Sequence, residues 1–458
     1  MWEFYNDKVI FLTGGTGFVG TTILYRLFTQ AAPRRVFVLT RGGHKNADEM
    51  WRKLLSESVS QYFIQNPRIR IVSGNLKAAN LGLSDEDWEC LKESVNIVIH
   101  TASAISLGGA HLGKISQLVV SPTMFLADIA LQMPYLQHFV FVSTAYANTH
   151  LWTLSKKDEV TIEESFYSLD TGNLVSEPRS DSWEHISQGA TDEWAEVQRK
   201  GTSKVWETFD FPWSYSYAKN LTERLLLQRF GENGAVQKLL IVKPSIISPA
   251  KSYPYQGYAR ASSTPAAGFQ AAVNISFGRH FRFSSKASSP YESTLDEVPV
   301  DVVVDRLLVH LAYGTHGIVH AVSGKRDRLS VFNDIMPSIG KERRIPWRIK
   351  PECSSLDWHS KDVHPVNRIF KLVGTSFDFK EGKTEKLNAA LSVQERSGLI
   401  LFTDGYVPAI EQRRGIVREM GLVIGRKQHI PSFLVKLLFP SSTTRPEIPL
   451  PREHREED

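Results

Sequence analysis

The chain has 458 residues, of which 42% are hydrophobic and 22% are charged, and its formal net charge is +5. This composition is typical of a globular protein with a large core and excludes a chain too poor in apolar residues to fold. The weak positive charge suits an anionic ligand, but it is too small and too dispersed to indicate binding to nucleic acid.

Cysteine content and apolar runs bear on the compartment. Cys90 and Cys353 are too few to build a metal site, and we interpret them as free thiols in a reducing compartment, with one long-range disulfide as the alternative. The apolar run at 8–13 is too short for a signal peptide, and no window of about 18 apolar residues predicts a membrane span. We therefore expect a cytoplasmic protein. The apolar, lysine-bearing stretch 430–439 suits packing in the core, with contact at a membrane surface as the alternative.

In chain order, the first half alternates short β-branched runs with helical patterns such as 21–30 and 117–132. Near-continuous apolar strands separated by helices predict a parallel sheet covered on both faces. The fold class is therefore α/β, a doubly wound Rossmann sheet. The predicted strands lie at 8–13, 35–40, 69–74, 95–100, 138–144 and 238–244, with a seventh at 317–323.

The composition also changes along the chain. We predict a cofactor-binding domain over residues 1–325, interrupted by a charged, Trp-bearing insertion at 151–212. Residues 250–300 are rich in Ser, Pro, Gly and aromatic residues and are expected to line and cover the substrate. Charge density then rises and helical patterns dominate, so we place a smaller, mostly helical C-terminal domain at 326–440. The Pro- and charge-rich residues 441–458 are expected to be a disordered tail.

The loop after the first predicted strand reads GGTGFVG, with a G-x-x-G-x-x-G spacing. Its first glycine would allow a sharp turn, its second a close approach to a pyrophosphate, and its third close packing of the next helix. The free N–H groups that open this helix would face the phosphates. Because the loop joins a predicted strand to a predicted helix, it indicates dinucleotide binding rather than a merely structural turn. The residues expected to contact the cofactor are Gly14, Thr16, Gly17, Phe18, Val19 and Gly20.

The end of the second predicted strand bears on which dinucleotide binds. An NAD site usually has Asp or Glu there, which holds the ribose 2′-hydroxyl. This strand ends in Thr40-Arg41-Gly42-Gly43, and Arg41 would pair with a 2′-phosphate; its alternative is a solvated surface arginine. The sequence therefore predicts NADPH, with reduction as the direction. The third and fourth strands end in further residues placed to meet the cofactor: Asn75, Leu76, Thr101 and Ala102.

The stretch SYSYAKNLTERLLLQRF at 214–230 predicts an amphipathic helix in which Tyr215 and Lys219 share one face. Thr144 follows a predicted strand at its C-terminal end, where ligands bind in such sheets. Hydride attack on a carbonyl develops negative charge on oxygen, which the two hydroxyls could stabilise while Tyr215 delivers the proton. We expect the Lys219 ammonium to lower the pKa of Tyr215 and to hold the ribose hydroxyls. The alternative is a surface ammonium beside a half-buried ring.

Together these motifs resemble the extended short-chain dehydrogenase/reductases, and more closely their fatty acyl-CoA reductase (male-sterility type) and thioester reductase branch. The signals run in family order across residues 8–323. The long gap between VSTAYAN at 142–148 and the helix that carries Tyr215 and Lys219 also fits that branch. The resembling stretches are TGGTGFVG, LTRGG, SGNLKAANLGLSDEDW, HTAS, FVSTAYAN, YSYAKNLTE, IVKPSIISPA and EVPVDVVVD.

The resemblance implies NADPH-dependent reduction of an acyl thioester to an aldehyde, and with a second hydride to a primary alcohol. The acyl donor is left open between coenzyme A and a phosphopantetheine carrier protein, and so is the oligomeric state. An aldehyde or ketone reductase of the same fold is one alternative, and a non-catalytic dinucleotide-binding scaffold is another. The implied roles are catalytic for Thr144, Tyr215 and Lys219, and cofactor-binding for the glycine-loop residues, Arg41, Lys219, Pro244 and Ile246.

The chain departs from the family pattern in places. Where the family usually has an asparagine in the helix after the fourth strand, this chain has Val119, which would alter a proton relay that uses the asparagine. Asn75 stands where the family has an aspartate, and its amide can still hydrogen-bond an adenine edge. The basic segment 341–348 fits a solvated surface, or alternatively a site for an acidic carrier or the CoA phosphates.

Overall fold

The computed structural model of the protein describes residues 1–103, 111–155, 159–167, 169, 183–284, 293–354, 376–407, 410–439 and 448–451. All structural statements below refer to these residues. The strands in chain order are β1 (Val9–Thr13), β2 (Arg35–Thr40), β3 (Ile69–Ser73), β4 (Ile97–His100), β5 (His138–Val142), β6 (Glu159–Ile162), β7 (Leu239–Pro244), β8 (Ile246–Ser248), β9 (His280–Ser284), β10 (Thr294–Leu295), β11 (Glu297–Pro299), β12 (Gly317–Ala321), β13 (Leu329–Ser330), β14 (Lys350–Ser354) and β15 (Ser376–Phe379).

Helices fill most of the remaining described chain, together with short 3₁₀ turns. The α-helices in chain order are α1 (Phe18–Gln30), α2 (Gly43–Leu54), α3 (Glu57–Gln65), α4 (Asp85–Lys92), α5 (Leu112–Leu131), α6 (His150–Leu154), α7 (Trp183–Ser187), α8 (Ala190–Lys200), α9 (Lys204–Phe209), α10 (Ser214–Glu232), α11 (Pro265–Ile275), α12 (Val300–Ala312), α13 (Gly324–Asp327), α14 (Met336–Glu342), α15 (Gly382–Ala390), α16 (Val393–Arg396), α17 (Ile410–Lys427) and α18 (Ser432–Leu438). One π-helical stretch, Val331–Ile335, precedes α14.

Seven strands form one parallel sheet in the order β3-β2-β1-β4-β5-β7-β12. The order runs outward from β1 in one direction and from β4 in the other. A crevice therefore opens between these two strands at their C-terminal ends, which is where doubly wound sheets bind ligands. These are the seven strands that the apolar runs predict, and the predicted doubly wound α/β fold is confirmed.

Alternation along each strand builds two hydrophobic cores, one on each face of the sheet. In β1, Ile10 and Leu12 face the core that contains α1 and α12, whereas Val9 and Phe11 face the core that contains α5 and α10. All five residues of β1 are buried, as expected for a central parallel strand. Each such side chain contributes about 1.5–3 kcal/mol when fully buried, so this strand fixes the start of the glycine loop firmly.

The helix that carries the predicted Tyr/Lys pair is more buried than its sequence predicts. Of the 19 residues of α10, 14 are buried. One side of the helix packs on α5, and insertion helices α7 and α8 cover another side. There Glu193 of α8 forms a buried ion pair of 2.7 Å with Arg224. The predicted amphipathic helix is therefore a core helix, because the insertion buries the face that the sequence pattern leaves polar.

Residues beyond 325 pack against the first part of the chain. β15 pairs with β6 of the insertion, and β14 pairs with β9, both in parallel. In α12 the fully buried Arg306 donates to the Leu401 carbonyl at 2.7 Å and to the Glu381 carboxylate at 2.5 Å. These contacts join residues on both sides of position 325, and the division into two domains there stays a prediction.

The predicted tail lies mostly outside the described residues. Of residues 441–458, the structure describes 448–451. There Ile448 is buried against the first core, and the Tyr25 hydroxyl donates to the Pro449 carbonyl at 3.1 Å. Cys353 likewise falls where no side chain is described, whereas Cys90 is a free thiol.

One helix of the described chain, α5, is long and apolar enough to cross a membrane by length and composition, with a mean hydropathy of 1.2. The sequence-based expectation that no such window exists is therefore too strict. The same window is 61% buried inside the protein, between the sheet and α10, which is the environment of a core helix. The cytoplasmic location stays a prediction.

Candidate active site

A cavity of about 650 Å³ opens at the C-terminal ends of β1, β2, β4 and β5, where the strand order reverses. The glycine loop after β1 lines it, and so do Tyr215 and Lys219 of α10. The structure thus brings together residues that lie two hundred positions apart. The sequence-predicted site residues in the wall are Gly14, Thr16, Gly17, Phe18, Val19, Gly20, Arg41, Asn75, Leu76, Thr101, Ala102, Tyr215 and Lys219.

The glycine loop leaves no room for side chains at its first and third glycines. Gly14 has φ +75°, and a Cβ there would lie 2.6 Å from Thr101 Oγ1. A Cβ on Gly20 would lie 2.2 Å from the Gly14 carbonyl oxygen, so the third glycine lets α1 approach the loop itself rather than the sheet. Gly17 caps α1 and turns back on Gly14 through an N–H···O bond of 2.8 Å. This cradle fits a pyrophosphate beside the first N–H groups of α1.

The turn after β2 carries Arg41 into the cavity wall. Two consecutive glycines follow with positive φ, +83° at Gly42 and +59° at Gly43, and α2 begins at the second. The Asn46 amide donates to Thr40 Oγ1 at 3.1 Å, which ties the first turn of α2 to the end of β2. The exposed Arg41 guanidinium and the start of α2 therefore border the same side of the cavity.

The ends of β3 and β4 complete the wall near the glycine loop. Asn75 closes a tight turn, since its Oδ1 accepts from the Lys77 N–H at 3.1 Å and its own N–H donates to the Leu81 carbonyl at 2.7 Å. Thr101 donates through Oγ1 to the Thr13 carbonyl at 2.8 Å and links β4 to β1. Both side chains are thus held by backbone groups at the cavity edge.

Lys219 is buried at the inner side of the cavity, with 1% of its surface exposed. Its ammonium donates to the Val142 carbonyl at the end of β5, at 2.9 Å. The ammonium nitrogen lies 5.9 Å from the ring centroid of Tyr215 and 4.4 Å from that of Phe141. The spacing of four residues on α10 therefore does place both side chains on one face, and that face opens into the cavity.

The pKa values of this pair are dominated by burial. Burial lowers the pKa of Lys219 to about 7, and the nearby Glu223 carboxylate opposes that shift. Burial raises the pKa of Tyr215 above its usual value, and a hydrogen bond with Ser103 opposes that shift. The pKa of Tyr215 is therefore raised in this structure and not lowered as expected, because burial is the largest influence on it. The phenol is therefore protonated at neutral pH, which is the form that can donate a proton.

Behind the pair lies a buried charged network that the sequence analysis missed. Glu223, one turn after Lys219 on α10, accepts from Ser143 Oγ at 2.5 Å and from the Lys243 ammonium at 2.8 Å. Glu223 and Lys243 are 3% and 0% exposed, and Ser143 lines the cavity. Such partners offset the cost of removing a carboxylate from water. The i+4 spacing from Lys219 to Glu223 was the available signal, but a helical i,i+4 pair usually marks a surface.

His100 at the end of β4 is held as a neutral ring next to Lys219. Its Nδ1 lies 2.6 Å from Thr13 Oγ1, and its Nε2 lies 3.0 Å from Thr123 Oγ1. Burial, with a smaller contribution from the Lys219 charge, lowers the pKa of His100 to about 3. The ring therefore serves as a neutral hydrogen-bonding link between β1, β4 and α5, and it does not titrate near neutral pH.

Three predicted site residues, Thr144, Pro244 and Ile246, are not among the residues that line the cavity. Thr144 is 7% exposed; its Oγ1 donates to the Pro244 carbonyl at 3.4 Å and accepts from the Tyr146 N–H at 3.3 Å. Ile246 packs in a separate apolar cluster with Tyr146. In their places the neighbouring residues Ser143 and Ile247 line the cavity. The strand ends were located correctly from sequence, but the residues that face the cavity are shifted by one.

The wall also contains residues from the segment 250–300, which the sequence analysis assigned to the substrate. Arg260 and Ser263 line the cavity. A methyl group on Gly17 would lie 4.0 Å from Arg260 Nη1, so this guanidinium stands beside the glycine loop. No motif marks Arg260, which follows the sixth predicted strand by sixteen residues. Helix α5 contributes Leu118 and Pro122 to the wall, and the adjacent Val119 is buried away from it.

A family model described as "Male sterility protein", an NAD-binding family, matches residues 12–307. The chain belongs to this male sterility family. The match includes the glycine loop, Tyr215 and Lys219, and the family implies a nicotinamide dinucleotide of the NAD type as cofactor.

Several curated relatives of this chain are named fatty acyl-CoA reductases. Fatty acyl-CoA reductase 2 of Mus musculus is 29% identical over 326 residues, which covers 69% of this chain and 56% of the relative. Fatty acyl-CoA reductase 1 of Mus musculus is 31% identical over 319 residues, which covers 68% of this chain and 56% of the relative. The match thus spans little more than half the length of these relatives.

Solved structures with this fold include reductase domains of biosynthetic assembly lines. The reductase (R) domain of a nonribosomal peptide synthetase from Mycobacterium tuberculosis aligns with a TM-score of 0.57 at 16% identity, covering 95% of this chain and 93% of that domain. The terminal R domain of the myxalamid pathway aligns with a TM-score of 0.55 at 15% identity, covering 93% and 92%. At such identity the likeness establishes the fold, which here includes most of the region past residue 325.

Proposed function

We propose that this protein reduces an acyl thioester to an aldehyde and a free thiol, with NADPH as the reductant. The carrying observation is that Tyr215 and Lys219 open into the same cavity as the glycine cradle. The names of the fatty acyl-CoA reductase relatives support a thioester as substrate. Acyl-CoA is the donor we favour for the first test, and a carrier-bound acyl group is the other donor of the same chemistry.

Several residues of the wall support binding of NADPH. The glycine cradle and the start of α1 would hold the pyrophosphate, and Arg260 beside Gly17 would add a positive charge there. Arg41 would pair with the 2′-phosphate, because the turn after β2 offers a guanidinium where NAD sites offer a carboxylate. Asn75 would meet the adenine edge.

The chain's own groups would manage the oxygen and the proton. A bound nicotinamide dinucleotide supplies the hydride that forms the new C–H bond at the acyl carbon. The Tyr215 hydroxyl would donate its proton to the carbonyl oxygen as negative charge develops there, and its raised pKa keeps that proton in place beforehand. Lys219 would hold the ribose hydroxyls and stabilise the phenolate that remains. A second hydroxyl at the end of β5 would support the oxygen: Ser143 lines the cavity there, and the predicted Thr144 lies next to it.

The product of this first step is a thiohemiacetal. Its carbon–sulfur bond breaks, the carbonyl re-forms, and the thiolate takes up a proton, so that one hydride and one proton yield an aldehyde and a thiol. A second hydride and proton would convert a retained aldehyde to a primary alcohol.

The deciding experiment is NADPH oxidation by the purified protein with a panel of acyl-CoAs, with thiol, aldehyde and alcohol all quantified. We expect thiol release in proportion to NADPH oxidation. One NADPH per thiol would give an aldehyde as product, and two would give an alcohol. The Tyr215→Phe variant is the control for enzyme-dependent oxidation.

Other results would assign a different function. Oxidation of NADPH with free aldehydes but without any thiol release from thioesters would make the protein a carbonyl reductase. Inactivity with acyl-CoAs, acyl carriers and aldehydes alike, with NADPH still bound, would make it a dinucleotide-binding scaffold.

A further inference from the structure

Helix α18 has two apolar sides with different surroundings. Val435, and Phe439 just past the end of the helix, are buried against α11 and α17. Phe433 and Leu437, one turn apart, are each 63% exposed, and Leu434 beside them is 39% exposed. One side of the helix therefore packs in the protein, and a second apolar side faces outward. Apolar side chains exposed in such a row are uncommon on a soluble surface and mark a contact site.

A neighbouring apolar side chain and a basic segment extend this surface. Phe277, just past the end of α11, is 56% exposed, and its carbonyl accepts from Trp347 Nε1 at 3.0 Å. Arg344 donates to the Leu437 carbonyl at 3.2 Å. The segment around residues 343–347 therefore joins the end of α11 to α18. We call the surface formed by Phe277, Arg344, Phe433, Lys436 and Leu437 the basic apolar face.

The charge of this region is far from the average of the chain. Residues 341–350 and 426–439 together contain eight Lys or Arg and one Glu, a net charge of +7, whereas the whole chain carries +5. The single acid, Glu342, forms an ion pair of 2.8 Å with Arg414 of α17. The remaining 434 residues thus carry a net charge of −2. The positive charge of the protein is concentrated beside its exposed apolar helix.

We propose that the basic apolar face binds the surface of an anionic lipid bilayer, with α18 lying in the interface. Apolar side chains would enter the headgroup region while Arg344 and Lys436 meet the anionic headgroups, which is the pattern of interfacial helices. An acidic protein would satisfy the charges equally well. The lipid surface is favoured because two phenylalanines and a leucine are exposed more than halfway, which an acidic surface would not bury.

The position of the face fits a bilayer contact that leaves the cavity open. Helix α11 begins two residues after Ser263 of the cavity wall and ends two residues before Phe277. Eleven helical residues span about 16 Å. The face and the cavity therefore lie at opposite ends of one helix, and binding to lipid would not cover the cofactor. The proposal does not depend on the reaction that the cavity supports.

The test is flotation of the purified full chain with vesicles of phosphatidylcholine alone and with vesicles that also contain phosphatidylserine. We expect binding to the anionic vesicles, weaker binding to the neutral ones, and release by high salt. The Phe433→Ser/Leu437→Ser variant should lose about tenfold or more in affinity for both. The Arg344→Gln/Lys436→Gln variant should lose about fivefold per charge for anionic vesicles only.

Matched controls distinguish binding through the basic apolar face from non-specific adsorption to vesicles. Tyr135→Ser removes a 61% exposed aromatic side chain elsewhere, and Lys386→Gln removes an exposed charge outside the face. Both should bind vesicles like the parent. NADPH binding by every variant checks that each is folded. Equal vesicle binding by the parent and by the Phe433→Ser/Leu437→Ser variant would overturn the proposal. Failure of the parent to bind anionic vesicles would also overturn it. If the basic apolar face bound an acidic acyl carrier protein and not vesicles, the face would be assigned to a protein partner.

Discussion

The two parts of the cavity wall are built in different ways. The glycine-loop part is made from consecutive residues, 14–20, whose turns are fixed by backbone close contacts. The α10 part is assembled from distant segments: Val142 receives the Lys219 ammonium across 77 positions, and Ser143 reaches Glu223 across 80. The first part depends on local conformation and the second on buried charge. We therefore expect substitutions in the first to change cofactor binding and substitutions in the second to change the proton chemistry.

The largest effect should come from Tyr215→Phe, which keeps the ring and removes only the proton donor. We expect kcat to fall by about 10³-fold, within the range for loss of a general acid, while the NADPH dissociation constant changes by less than about twofold. Steady-state kinetics and a fluorescence titration measure the two quantities. Tyr217→Phe is the matched control on the same helix.

Tyr217 donates to Glu193 at 2.5 Å, away from the cavity, so its substitution should lower stability and spare kcat. If Tyr215→Phe turned over at near-parental rates, Tyr215 would not be the proton donor. The α10 part of the wall would then not be the part that carries the proton chemistry.

Arg41→Ala tests cofactor binding at the turn after β2, which borders the same cavity as the glycine loop. Loss of a guanidinium paired with a 2′-phosphate should raise the NADPH dissociation constant about 30-fold, which corresponds to about 2 kcal/mol, and leave NADH binding unchanged. Calorimetric titration with both cofactors measures this. The exposed Arg34, outside the cavity, provides the control Arg34→Ala. An unchanged ratio of NADPH to NADH affinity would move the 2′-phosphate to another residue.

Glu223→Gln tests the α10 part through pH. If activity needs the Lys219 ammonium, kcat/KM falls as pH rises through the pKa of Lys219, about 7. The Glu223 carboxylate raises that pKa, so its neutralisation should lower the pKa further and move the falling limb to lower pH. The variant should therefore lose little at low pH and about tenfold near neutral pH.

The control for this shift is Glu193→Gln, which breaks the buried ion pair with Arg224 on the outer side of α10. It should lower the melting temperature without moving the limb of the pH profile. If kcat/KM fell at the same pH in the parent and in Glu223→Gln, the buried network around Glu223 would have a structural role only.

The smallest effect is expected for Arg260→Ala. Because Arg260 stands beside Gly17, where the pyrophosphate would lie, its loss should weaken NADPH and NADH equally, by about fivefold, as for a partly exposed charge pair. Arg279→Ala, exposed and outside the cavity wall, should have no effect. Selective loss of NADPH would place Arg260 at the 2′-phosphate.

How much the sequence could predict follows from the same contrast. The seven strands and the glycine cradle were readable because they rest on local patterns: apolar runs, and glycines where Cβ atoms would clash with backbone. Tyr215 and Lys219 were readable because four residues on a helix share a face. In each case the information lies within one stretch of chain.

What could not be predicted depends on burial by distant segments. The raised pKa of Tyr215 and the neutral state of His100 follow from desolvation that no spacing reveals. Glu223 resembles a surface charge until α10 is found to be covered on nearly all sides, and Lys243 finds its partner only when β7 packs beside that helix. The one-residue shift from Thr144 to Ser143, and from Ile246 to Ile247, is set by how each strand ends in three dimensions.

The buried charges of α12 have a consequence for protein engineering. The family match ends at residue 307, and a chain cut at 325 would retain all seven strands and every cavity residue. Yet that cut would remove Leu401 and Glu381, two of the three acceptors of the fully buried Arg306 and among them its carboxylate partner. A buried guanidinium deprived of its partner costs about 3–5 kcal/mol, a large fraction of the stability of an ordinary domain. A minimal biocatalyst made from this scaffold must therefore carry residues 376–407 along with its active half.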